Sequence, residues 1–537
     1  MLGSAVAVSV TGCCELRPFP KPKIPSDGVA LTEGSASAFL APRGATFKGA
    51  PTRECIDVHA HFFNASDVTI KGYLEGPVAN SLGGLLGELV KLLAPIADGL
   101  GEIAPTASDE YRSLIALTTR AMTDADRRAA VEESRQKERA LISAEFNRLI
   151  QSPGGRAFRV AYESLMVDGA GVATTERRPR IRRIDDDSVF QAMEASEATL
   201  EPRAIAEFAA TDQADYAEGI LAFVGYMLSS RNSNLITYQK AFTEGDSTIG
   251  VRRTLGALVD FDRWLKCAPR SAQEDQMRLH LKISQLSGHY MLPLISYNPW
   301  TDVEDQERSL ALVEEAIRAG FVGVKIYPPN GFRPWGNASS SRRDGPTGPQ
   351  LDAALKKLWL RCRELNVPVM AHAGPSMGRD DSHNHLGGPD EWQKLLNAPF
   401  WSNDEGPRVS LGHFGGDGVD TNWTSEFANL MNKPRGQQMF GDLGYWADLR
   451  CEIAGTERCE AAKARLRKAL ETPLSGGETV ANRVMYGSDW LMLSKEKNWP
   501  AYAQQLVAAL SEVSPDNIDN IFRENAKACF GSKLQLA

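Results

Sequence analysis

Six side chains of this sequence stand where short apolar runs end, and together they could do metal chemistry. In Cys55–Phe63 (CIDVHAHFF), His59 and His61 are two residues apart. Residues i and i+2 of an extended chain point to one face, so both imidazoles can grip one ion. Single residues close four further runs: Lys325 in GVKIYPP, His372 in VPVMAHAG, His413 in VSLGHFGG and Asp489 in VMYGSDW. The chain has only 8 histidines, and four of them fall at such ends, which a random scatter would rarely produce. Imidazole nitrogens with one carboxylate suit a borderline Lewis acid such as Zn²⁺, held with a position open for water. An ion of this kind lowers the pKa of its water toward ~7 and polarises a carbonyl. A neighbouring imidazole or carboxylate can then carry the proton to the leaving group.

The elements that must position these residues are legible from the pattern. From about residue 254, apolar runs alternate with amphipathic stretches. The runs are Leu255–Asp260, Tyr290–Tyr297, Gly323–Tyr327, Val367–His372, Val409–His413, Met439–Leu443 and Val484–Ser488. The stretches between them include Ala272–Leu286, Glu307–Ala319, Leu351–Leu365 and Ala461–Leu470, with Ala501–Leu510 following the last run. Alternation of this kind means βα units and a parallel sheet. Counting CIDVHAHFF as the first strand gives eight, which predicts a (β/α)8 TIM barrel, whose function sits at the C-terminal ends of the strands. The chain then divides into a leader and extended tail (1–50), the first barrel strand (51–63), a helical insertion (64–250) and the rest of the barrel (251–537). The insertion leaves the barrel directly after His61, at the mouth, and is expected to act as a lid. Its helical spacing runs through Leu82–Leu100, Asp109–Met122, Asp124–Leu149 and Ser188–Leu228. Gly-rich breaks lie at 154–155 and 169–171, and the charge block Glu176–Arg183 with Asp185–Asp187 reads as a solvated loop.

Bulk properties exclude some classes. The 537 residues are 42% hydrophobic and 24% charged with a formal net charge of −8, ordinary globular composition without the basic surface of a nucleic-acid binder. No apolar run reaches the ~18 residues of a membrane span. The 8 cysteines contain no CxxC pair, so neither a Cys-based zinc site nor a disulfide scaffold is expected. Val10–Cys13 is similar to a lipoprotein cleavage site but lacks a basic n-region. A cytoplasmic location is the expectation, with lipid anchoring through Cys13 as the alternative.

The order of HxH on strand 1, His on strands 5 and 6 and Asp on strand 8 resembles the amidohydrolase superfamily. GFVGVKIYPP, LGHFGG, YGSDW, the closing NIFRENAKACFG, and Gly388-Pro389 with Trp392 resemble its amidohydrolase-related branch. The resemblance covers roughly 53–63 and 252–531; the tail before 50 and the insertion depart from it. It implies that His59, His61, His372 and Asp489 ligate one Zn²⁺ or another divalent ion, with His413 beside the bound water. It also allows a two-metal arrangement, bridged by a carbamylated Lys325. The implied activity is metal-dependent hydrolysis of a C–N or C–O bond in a small carbonyl substrate. The alternative is a decarboxylase (a carbon–carbon lyase) acting on an unsaturated or aromatic acid. Arg333, Trp335, His383, His385 and Trp490, in loops after strands 4, 5 and 8, are candidate substrate contacts; Arg333 could pair with a carboxylate and the tryptophans could stack. Expected partners are a small-molecule substrate and no nucleic acid, with a homo-oligomer compatible with the sequence.

Overall fold

The computed structural model describes residues 38–40, 53–82, 84–168, 212–243, 249–265, 268–339, 345–378, 380–402, 405–416 and 422–534. The Cys13 leader, nearly all of the 1–50 tail, the charge block at 176–187, the glycines at 169–171 and the first part of Ser188–Leu228 lie outside them.

Eight strands form one sheet in sequential order, every neighbouring pair parallel: β1 Arg53–Ala60, β2 Ile249–Ala257, β3 Met291–Ser296, β4 Gly323–Ile326, β5 Val369–His372, β6 Val409–Gly412, β7 Met439–Asp442 and β8 Val484–Met485. The sheet closes on itself. Val58 N–H donates to Tyr486 O (3.1 Å), Asp489 N–H to His59 O (2.7 Å) and His61 N–H to Trp490 O, so the chain running out of β8 is tied to β1. Helices follow the strands in turn, among them Gln273–Leu286, Arg308–Ala319, Gly348–Glu364, Trp423–Met431, Thr456–Leu470 and Tyr502–Val513. This is the TIM barrel expected of the alternating pattern.

The barrel interior is packed. Ile56, Val58, Leu255, Ala257, Leu294, Met370, Phe440 and Met485 form one buried cluster with Ala526, Cys529, Phe530 and Leu534 of the C-terminal segment. Side chains from so many strands meet only on the axis, so the ion-holding residues rest on a solid apolar floor. The β1–β2 register slips between Cys55 and Ile56 and again between Asp57 and Ala60. Such irregularities re-aim side chains beside functional sites, and here they fall at the HxH segment. Cys55, Cys362 and Cys529 are buried free thiols. Cys451 and Cys459 are joined as a disulfide, a local link that the cysteine spacing did not announce.

Between β1 and β2 the described residues are helical: α1 Gly84–Gly101, α2 Ala107–Thr119, α3 Asp124–Ile150, α4 Arg156–Asp168, α5 Asp212–Leu228 and α6 Arg231–Thr243. Thr123 and Asp126 form a capping box that starts α3 one residue before the charged, helix-favouring run. One fully buried cation joins this segment together. Arg231, at the start of α6, donates from Nε to Asp67 Oδ2 (2.9 Å), from Nη1 to Glu110 Oε2 (3.1 Å) and Pro105 O (2.9 Å), and from Nη2 to Ser66 Oγ (2.8 Å). It thereby binds the turn just after β1 to the start of α2 and to α6.

Removing one member of a buried pair leaves the other charges unsolvated and unmatched. Arg231→Ala should therefore lower unfolding stability by about 3–5 kcal/mol, read by denaturant titration.

Candidate metal centre

His59, His61, Lys325, His372 and Asp489 converge at the C-terminal mouth, each no more than about one-twentieth exposed, and half-buried His413 joins them. Each imidazole is anchored by its outward nitrogen. His59 Nδ1 meets Asp442 Oδ1 at 3.0 Å, His61 Nδ1 meets Ala257 O at 2.9 Å, His413 Nδ1 meets Gly444 O at 2.8 Å and His372 Nε2 meets Ser376 O at 3.0 Å. Carbonyl oxygens only accept, so the anchored nitrogens of His61, His372 and His413 carry the protons. Their other nitrogens then present lone pairs to the centre, as does His59 Nε2 when Nδ1–H donates to the Asp442 carboxylate.

The inward atoms are crowded. His59 Nε2 lies 3.4 Å and His61 Nε2 3.5 Å from Asp489 Oδ1, while Lys325 Nζ is 3.3 Å from His59 Nε2. His413 Nε2 and His372 Nδ1 approach to 3.1 Å. Two bare nitrogens at that distance repel unless a cation or a shared proton lies against them. The donor set therefore fits a borderline divalent ion, by its own chemistry. The donor atoms of His59, His413 and Asp489 all lie within 4.8 Å of one another, which brings His413 into the donor cluster.

Electrostatics favour the neutral, ligand-ready form of the imidazoles. Burial, reinforced by Lys325, holds His59 and His61 well below the usual imidazole range. Burial, the neighbouring His413 and Lys325 do the same for His372. His413 is also lowered by burial, against the opposing pull of Asp442. Burial raises Asp489 to about 7, with Lys325 and Lys495 opposing, and lowers Lys325 to about 8, with Asp489 and Asp442 opposing.

The supports behind these residues are close-fitted. Asp442, at the end of β7, is fully buried; its Oδ1 also accepts from the backbone N–H groups of His413 (3.1 Å) and Gly444 (2.9 Å). A Cβ on Gly444 would stand 2.8 Å from His59 Nδ1, and one on Gly487 2.8 Å from His59 Cβ. Those glycines are the room in which His59 sits. His413 (φ 69°) and Asp489 (φ 56°) both adopt left-handed backbone, which disfavours residues bearing a Cβ and clusters at functional sites.

A cavity of about 320 Å³ opens over the centre. Phe63, Tyr73, Phe261, Tyr327, Met377 and Met492 form flat apolar walls, and the Tyr327 ring lies on His372 (4.5 Å between centroids). Tyr73 and Leu82 belong to the segment after β1. Phe63, Tyr73 and Lys495 line the cavity although nothing in their spacing singled them out. Tyr327 could have been found, because it stands two residues beyond Lys325 and shares its face. Asp442 carried a signal too, as an acid closing the seventh apolar run.

The five loop residues expected to touch substrate do not line this cavity. Arg333 is paired with Glu391 (2.9 Å), and Trp335 packs on Phe400 (4.8 Å). His383 Nδ1 is 2.7 Å from Asp380 Oδ1, and His385 is exposed. Trp490 is fully buried among Phe62, Tyr226, Tyr238 and Trp499. With Asp489 turned toward the centre, its neighbour is directed behind the barrel wall.

Residues 295–532 match the family model described as Amidohydrolase. Among solved structures, a probable 2-pyrone-4,6-dicarboxylic acid hydrolase from Acinetobacter baumannii is similar at 15% identity over 52% of this chain and 84% of that one (TM-score 0.32). A 4-oxalomesaconate hydratase from Rhodopseudomonas palustris is similar at 13% identity over 64% and 92% (TM-score 0.34). A 5-carboxyvanillate decarboxylase from Novosphingobium aromaticivorans, with bound manganese, is similar at 12% identity over 64% and 92% (TM-score 0.32). No curated protein matches the sequence.

Asp442→Asn would keep the shape but weaken the tie that orients the His59 ring. Changes to such outer partners cost about 10–100-fold in metal affinity. That loss, with an unaltered far-ultraviolet circular dichroism spectrum, is the expected result of a competitive chelator titration.

Proposed function

With residues 295–532 matching the amidohydrolase family model, we propose that the chain is a metal-dependent hydrolase cleaving a C–N or C–O bond of a small carbonyl substrate. One observation carries this reading: four imidazoles are anchored by their outward nitrogens, with His59 and His61 turned onto the buried Asp489 carboxylate and His372 turned onto His413. His59, His61, His372 and Asp489 would hold one divalent ion, zinc or a similar metal, and Lys325 would orient substrate as an ammonium. A bound ion would supply Lewis acidity toward a carbonyl and toward water.

The chain's own groups supply the rest. Asp489 Oδ, set against His59 and His61, accepts a proton as the nucleophile is activated. His413 Nε2, left with its lone pair by the Nδ1–H donated to Gly444 O, can take that proton and, once protonated, stabilise developing negative charge or pass the proton to the leaving group. The aromatic and methionine walls displace water around the reacting bond. Tyr73 and Leu82 give the 64–250 segment its part as a lid, because they reach the same cavity as the histidines. The Tyr73 hydroxyl donates to Met492 Sδ (3.0 Å), which closes that side of the mouth.

The flat walls favour a second reading, decarboxylation of an unsaturated or aromatic acid. There CO₂ leaves with the bonding pair left on carbon, and His413 or Asp489 delivers a proton to that carbon. Product analysis separates the two reactions, since only the second releases CO₂.

Metal content tests the central claim. Purified, metal-supplemented protein should carry about one divalent ion per chain, and His59→Ala or Asp489→Ala should lose most of it by elemental analysis. A metal-free wild type overturns the reading.

His413 is tested separately. His413→Ala should retain its ion and lose turnover by ~100-fold or more, the scale of lost acid–base catalysis. Loss of half the metal would support the two-ion arrangement through Lys325, and loss of all of it would make His413 a ligand.

A further inference from the structure

Lys495 is a cation that the reaction described above does not use. It lies on the stretch beyond Asp489, is 4% exposed and lines the cavity. Its Nζ sits 5.9 Å from the ring centre of Phe223 and 5.3 Å from that of Tyr445. Ring faces stabilise an ammonium partially, but a cation this buried needs a counter-charge.

The nearby acids are committed elsewhere. Glu496 Oε1 accepts from the Tyr445 hydroxyl (2.5 Å), and Oε2 pairs with buried Arg450 (3.3 Å). Asp489 faces His59 and His61. Among the described residues, Lys495 makes no ion pair or hydrogen bond through Nζ. The position is nevertheless built. A Cβ on Gly219 of α5 would stand 1.8 Å from Lys495 O, so the helix backbone presses directly on the lysine's own backbone. Phe223, one helical turn along α5, lies beneath the ammonium. Two segments remote in sequence thus place a positive charge with no ion pair of its own in the cavity wall, apart from the cluster of His59, His61, Lys325 and Asp489.

We propose that Lys495 is the specificity-determining anchor for a carboxylate on the substrate, at a point distinct from the reacting bond. A single ammonium, acting as a point charge, suits a monoanionic carboxylate. The substrate class narrows to small, flat molecules carrying a carboxylate in addition to the group at the metal centre. This inference rests on the metal-dependent reading of the same site.

The test is calorimetric binding to the metal-loaded full chain. The probes are isophthalate and terephthalate, each compared with its monoamide, 3- or 4-carbamoylbenzoate. One carboxylate in each monoamide is free to engage the metal centre, so the comparison isolates the second charge. Wild type should bind at least one dicarboxylate ~10–100-fold more tightly than its monoamide, the worth of one charge-assisted hydrogen bond. Lys495→Met and Lys495→Gln should abolish that preference while keeping the metal, and Lys495→Arg should preserve part of it. Absence of the preference in wild type, or its full survival in either neutral variant, overturns the proposal. Elemental analysis of the same samples separates the two levels: a metal-free wild type defeats the hydrolase reading, whereas a metal-loaded wild type without the preference defeats only the role of Lys495. Should one neutral variant fail to fold, the other and the arginine variant carry the comparison.

Discussion

Everything at the mouth depends on the outward hydrogen bonds of the histidines. An imidazole has two nitrogens, and fixing the proton on one frees the other. Here three of the four outward partners are main-chain carbonyls, Ala257 O, Ser376 O and Gly444 O. Their positions are set by the barrel and its loops and not by a replaceable side chain. The fourth is Asp442, itself held by the main-chain N–H groups of His413 and Gly444. Protonation state at the centre therefore follows from backbone geometry.

That dependence explains the glycines and the left-handed residues. His59 and Asp442 are brought together in a space that Gly444 and Gly487 leave open. His413 and Asp489 reach inward from positive-φ positions; the backbone of His413 is held by Asp442, and that of Asp489 by the closing hydrogen bond to His59 O. Below them, the apolar cluster of the barrel axis gives the polar layer a stiff base. Burial then keeps the imidazoles neutral, since little water reaches them to stabilise a charge.

The barrel and the inward-facing residues were legible because they obey local rules. Apolar runs of strand length ended in His, Lys or Asp, and a closed parallel sheet gathers strand ends in one place. Loop residues follow no such rule. Arg333, Trp335, His383, His385 and Trp490 had suitable chemistry and sat after the correct strands, but their directions are set by partners elsewhere in the chain. Glu391 takes Arg333, Asp380 takes His383, and an aromatic cluster takes Trp490. Lys495 was hidden for the same reason: its placement comes from Gly219 and Phe223, far away in sequence.

Closure of the barrel orders events in time. Asp57 of β1 accepts from Ser488, 431 residues later, and from Tyr238 of α6. The strand that carries His59 and His61 thus gains its second neighbour only when the segment around β8 has been made and paired. Loop closure over such a separation is an entropic barrier that slows folding. β1 pairs with β2 on one side and with the chain beyond β8 on the other, so its two histidines gain one flank long before the other. A donor set drawn from both ends of the barrel is therefore complete only once the chain beyond β8 has paired with β1.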